Sequence, residues 1–181
     1  MSYKQDIRTL RLLSAFTHIL IFVSAHLLAT FVPLFDTSPL ISLFTQDVSS
    51  SSPLLRWDAF HFAHLATHGA RPVYEHEWAF FPGTPLLISL PFRLLPPNFQ
   101  STNTLLYPSA FLALLADVST TTTLYDLTLH HFPLSRTTAF LAALLSLLPS
   151  SVPTVRFAVY SEPFFAWASY KGQPLCCFVH H

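Results

Sequence analysis

The chain has 181 residues, of which 51% are hydrophobic and only 10% charged, with 18 phenylalanines and a mean hydropathy of +0.46. That balance belongs to membrane proteins and argues against a soluble domain. A formal net charge of zero carries no polyanion footprint, which excludes nucleic acid as a partner. The two cysteines, Cys176 and Cys177, are adjacent and cannot brace a disulfide framework. Fifteen prolines against three glycines predict membrane segments that are broken or kinked.

The first predicted element is the uncharged run from Leu12 to Val32, 21 residues, enough to cross a hydrocarbon core of about 30 Å as a helix. Lys4, Arg8 and Arg11 precede it, and no further Lys or Arg occurs before Arg56. The positive-inside rule therefore places the amino terminus in the cytosol and residues 36–83 on the lumenal side. The run is too long for a signal-peptide core, so a retained anchor is expected. Residues 35–53, with Asp36, Pro39, Asp47 and the serines at 49–52, read as a loop.

A helix is predicted to start near Leu54. Its His61, His64 and His68 share a face, which suggests an amphipathic helix lying at the membrane interface, ended by Gly69 and Pro72. Further apolar segments follow at 84–95, short or broken by Pro85 and Pro91, and at 105–129, 137–148 and 155–170. Within 105–129, Asp117 is expected to face the bundle interior and to be solvated by the hydroxyls of 119–123. His18 and His26 read as structural histidines. The final KGQPLCCFVHH abandons the hydrophobic pattern.

The densest polar chemistry lies between residues 56 and 77, where Arg56, Trp57, Asp58, His61, His64, His68, Arg71, Glu75, His76 and Glu77 crowd together. The Arg56-Trp57-Asp58 triplet, followed by Tyr74-Glu75-His76-Glu77-Trp78-Ala79-Phe80-Phe81-Pro82-Gly83, resembles the first lumenal region of the GPI mannosyltransferase 2 family. Tyr160-Ser161-Glu162 resembles that family's Tyr-Ser-Glu element ahead of a membrane helix. The resemblance implies a polytopic all-α GT-C-type glycosyltransferase fold in the endoplasmic-reticulum membrane, of which this chain is the amino-terminal part. It also implies transfer of the second mannose, α-1,6-linked, from dolichyl-phosphate mannose to a glycosylphosphatidylinositol precursor. No cofactor is implied, and some members have a small membrane partner subunit.

By the same resemblance Asp58 is the catalytic base, since an alcohol attacking an anomeric carbon needs a carboxylate within hydrogen-bond reach. Arg56 would hold the donor phosphate, Trp57 would offer a stacking surface, and Glu75, His76, Glu77 and Glu162 would bind substrate hydroxyls. Simpler roles stand beside each. Asp58 can cap a helix or pair with Arg56, Arg and Trp are ordinary interface anchors, and residues 75–77 can form a solvated loop. The histidines lack a zinc spacing such as His-Glu-x-x-His, and no metal is expected. Two rival classes are a non-catalytic membrane subunit or assembly factor of GPI biosynthesis, and a small proton or ion carrier built on His18, His26 and Asp117. A chain this short leaves turnover by itself open.

Overall fold

A computed structural model of the protein describes residues 2–32, 53–148 and 153–178. The expected loop residues 35–52, Pro149 and the terminal residues 179–181 lie outside the described residues. Six α-helices follow in chain order: α1 (Tyr3–Phe31), α2 (Ala59–Thr67), α3 (Gly83–Arg93), α4 (Thr102–His131), α5 (Arg136–Leu145) and α6 (Glu162–Phe178). Short 3-10 turns occupy Glu75–Ala79, Pro97–Phe99 and Pro153–Arg156, and no strand occurs among the described residues.

Helix α1 is the one described helix both long and apolar enough to cross a membrane. Much of its surface stays exposed, including Leu12, Phe16, Leu20, Leu27 and Leu28, as suits a helix with lipid for a neighbour. Helix α4 has 30 residues but carries Asp117 and a run of hydroxyls through its middle. Its start is sealed by a reciprocal cap: Ser101 Oγ accepts from the Thr104 amide, and Thr104 Oγ1 accepts from the Ser101 amide at 2.8 Å. Helix α3 has 11 residues, about 16 Å of rise, and is too short to cross a bilayer.

Three contacts fix α1 and α4 as antiparallel neighbours. Tyr3 Oη donates to Asp126 at 2.8 Å, Thr121 lies against Ser14 at 3.4 Å, and the rings of His26 and Tyr107 stack 6.3 Å apart. Helices α5 and α6 both pack on α4, and α3 packs on both α2 and α4. The main core gathers Leu54, Leu55, Phe60 and Phe62 with Ile88, Leu106, Ala113 and Phe157. A smaller core of Leu10, Tyr125, Ala139 and Ala143 joins α1, α4 and α5 at the other end.

Two expectations change. Helix α2 keeps no free apolar or polar face, because seven of its residues, from Ala59 to Ala66, are buried. Alanines at 59, 63 and 66 keep its girth small enough to sink into the main core. Near the carboxy end, a 3-10 turn and an irregular stretch at 157–161 take up the start of the 155–170 segment, and the helix begins at Glu162 and runs to Phe178. Pro163 sits in the first turn of α6, where its missing amide hydrogen costs nothing.

The smaller core is closed by a polar clamp. Buried Asp6 accepts from Tyr125 Oη at 2.7 Å and from the Arg136 guanidinium, tying α1, α4 and α5 together. Tyr125→Phe keeps the ring and removes the donor. It is expected to lower stability by about 1.5–3 kcal/mol, the range for a hydrogen bond to a charged group, read as a lower midpoint in denaturant unfolding of the detergent-purified protein.

Candidate functional site

The chain enters α2 through a tight turn at Arg56-Trp57-Asp58. Trp57 adopts a left-handed backbone, φ 45°, which a bulky L residue holds only under constraint, at a cost of about 1–3 kcal/mol. The constraint is visible. Arg56 is 6% exposed, and its carbonyl accepts the phenolic hydrogen of buried Tyr160 at 2.8 Å across 104 residues of sequence. The Tyr-Ser-Glu element therefore braces the Arg-Trp-Asp turn directly.

Above that brace Trp57 is 49% exposed and Asp58 is exposed. Asp58 stands at the position that precedes α2, yet its side chain makes no capping hydrogen bond, so the carboxylate is not spent on the helix start. The carbonyl of Asp58 accepts from the His61 amide at 3.0 Å, which sets His61 one turn further along.

Beyond α2, left-handed Gly69 (φ +75°) and Ala70 (φ 58°) reverse the chain. A Cβ at Gly69 would meet only the mobile end of the Arg93 guanidinium, so it is the left-handed φ that calls for glycine in this turn. The reversal brings the 3-10 turn Glu75–Ala79 back against α2. Glu75 and His76 are exposed, whereas Glu77 is fully buried at 0%. One Glu77 oxygen pairs with His64 Nδ1, and the other accepts the amides of Val73 at 2.8 Å and Tyr74 at 3.1 Å. Burial pushes the Glu77 carboxyl up, but the two amides and His64 outweigh it and hold the group below its ordinary value. Glu77 thus works inward, fastening its turn to α2.

His61 lies in the same corner, its ring stacked on Phe80 and edge-on to His76 at 4.8 Å. Burial, and after it the nearby His76, lowers the His61 pKa and favours the neutral imidazole. His68 instead turns back to the His64 carbonyl at 2.9 Å. The shared histidine face of the sequence is thereby divided between two sets of partners.

Glu162 lies elsewhere. It is exposed at the start of α6 and lines a cleft of 360 Å³ with Asp117, Thr120, Arg156 and Tyr170, a lining that does not include Asp58. Asp117 is held here by Arg156, whose Nη2 lies 3.0 Å from both carboxylate oxygens, with His18 Nδ1 at 3.5 Å. The hydroxyls of Thr120, Thr121 and Thr123 bond back to carbonyls of their own helix, so an arginine takes the role expected of them. Sequence reasoning missed Arg156. Its signal was a single cation within an apolar stretch, which requires a counter-charge such as Asp117.

A family model described as Mannosyltransferase (PIG-V) matches residues 2–175. A GPI mannosyltransferase 2 of Cryptococcus neoformans var. neoformans serotype D is 36% identical over 146 residues, covering 78% of this chain and 32% of the relative. A GPI alpha-1,6-mannosyltransferase 2 of Cricetulus griseus is 38% identical, covering 66% of this chain and 24% of the relative. A GPI mannosyltransferase 2 of Eremothecium gossypii is 32% identical over 83% of this chain and 39% of the relative. The chain thus spans about a third of the length of the Cryptococcus relative. No solved structure matches.

The contrast between the two glutamates is testable. Glu77→Gln places an amide nitrogen where a carboxylate oxygen accepts, leaving buried donors facing one another or unpaired, and is expected to cost about 2–4 kcal/mol of stability. Glu75→Gln, on the exposed side of the same turn, is expected to stay within about 0.5 kcal/mol of the parent. Chemical unfolding of both variants in the same detergent, followed by circular dichroism, measures the difference.

Proposed function

We infer the function from one premise: this chain belongs to the Mannosyltransferase (PIG-V) family. The reading its site supports best is a membrane mannosyltransferase of GPI synthesis. It transfers the second mannose, in α-1,6 linkage, from dolichyl-phosphate mannose to a glycosylphosphatidylinositol precursor at the endoplasmic-reticulum membrane. In this reading the described helices form part of a multispanning GT-C-type fold, with the Arg-Trp-Asp turn on the lumenal side. A small membrane partner subunit belongs to the same proposal.

The observation that carries the reading is the state of Asp58. It is exposed, uncapped, and set on a strained turn braced by the second motif through Tyr160. Asp58 takes the proton of the acceptor hydroxyl as that oxygen attacks the anomeric carbon. The carbon–oxygen bond to the donor phosphate breaks, its electron pair leaves with dolichyl phosphate, and a single displacement turns a β-linked donor into an α-linked product. Trp57 offers an apolar face to the lipid-linked substrate, and exposed Glu75 and His76 hydrogen-bond sugar hydroxyls. Glu162 contacts substrate from the neighbouring cleft. Arg56, buried beneath the turn, holds it in place rather than standing open to a phosphate.

Complementation tests the reading. Cells lacking the second mannosylation step are expected to regain surface GPI-anchored proteins when they express the protein. Asp58→Asn is expected to lower transfer in isolated membranes by about 10²–10⁴-fold, the usual contribution of a general base, at unchanged protein abundance. Full transfer by Asp58→Asn would take that residue out of the mechanism. Rescue without any transfer by the purified protein would favour a non-catalytic subunit.

A further inference from the structure

The corner between α2 and the 3-10 turn holds a constellation that goes beyond the role given to His76 in binding sugar hydroxyls. His61, His76 and Glu77 each offer one ligating atom, and the three atoms lie within 4.8 Å of one another. His61 also has a buried Nδ1 without a hydrogen-bond partner. Such an atom is uncommon in a folded protein and calls for a ligand or a water. We propose that His61, His76 and Glu77 bind one divalent transition-metal ion of the zinc type, leaving at least one coordination position for water or a substrate oxygen.

The donor set selects the ion. Two imidazoles and a carboxylate suit zinc and its first-row neighbours, whereas magnesium and calcium favour oxygen donors throughout. Glu77 has capacity for it, since an ionised carboxylate has about four acceptor positions and three are taken by His64, Val73 and Tyr74. Those partners fix the carboxylate as outer-sphere groups fix metal ligands elsewhere. Donors around a tetrahedral zinc lie on the order of 3.3 Å apart, given metal–ligand bonds of about 2.0–2.2 Å. The set therefore has to contract. His76, exposed on a short turn, is the member free to move inward.

Bound metal would pin residues 75–79 to α2 one turn beyond Asp58. The proposal does not rest on the transferase reading, and it is read by metal content alone, without mannose transfer. Purifying the whole chain in detergent without a histidine tag, stripping it with chelator and titrating with Zn²⁺ alone is expected to give one tightly held equivalent. Co²⁺ in its place is expected to show the intense visible bands of a four-coordinate site. His76→Ala, which removes an exposed ligand without opening the core, and His61→Gln are each expected to weaken binding more than about tenfold, at least the loss typical of an outer-sphere partner. His68→Ala is expected to bind as the parent does. A parent that holds no stoichiometric zinc would overturn the proposal. Undiminished binding by His76→Ala and His61→Gln would do the same, assigning the metal to other histidines such as His180 and His181.

Discussion

A hydroxyl of Tyr160 donating to the carbonyl of Arg56 joins two segments that lie 104 residues apart, and the candidate site depends on it. The turn it braces contains a tryptophan in left-handed conformation, a state that decays unless surrounding contacts hold it. With the turn held, Asp58 faces outward at the head of α2, uncommitted to capping, while Arg56 stays beneath. Strain, brace and exposed carboxylate thus form one device. A change at Tyr160 would reach Asp58 without touching any substrate.

Polar groups inside an apolar bundle have to find partners, and the pairings found here organise the helices around α4. Asp6 collects Tyr125 and Arg136 at one end, and Asp117 collects Arg156 and His18 further along. Each pairing joins elements distant in the chain, so each fixes register as well as satisfying charge. Removing one partner of such a pair leaves the other uncompensated in a poor solvent for charge. Between these pairings the helices meet in part through alanines, which let backbones approach closely and hand the energetics to packing.

The corner at α2 shows how one short helix face serves separate ends. His64 turns to Glu77 and helps anchor the following turn, His68 returns to its own helix, and His61 meets His76. A buried glutamate accepting two amides and an imidazole is a structural group by its contacts, even though it stands beside exposed residues of the same motif. Adjacent positions in Glu75-His76-Glu77 consequently do different work. The 3-10 geometry presents two of them to solvent and turns the third inward.

Much was legible from residues in order. The uncharged run after Arg11 announces a membrane-length helix, the doubled prolines at 96 and 97 punctuate helices, and the Arg-Trp-Asp and Tyr-Ser-Glu motifs carry the family resemblance. These signals are local, because helix formation and breaking are decided within a few residues. The burial of α2, the inward role of Glu77, the Arg156–Asp117 pair and the Tyr160 brace were decided by tertiary structure alone. Each depends on which groups meet across long separations in the chain, and a one-dimensional pattern carries no term for the partner that a buried charge or hydroxyl will find.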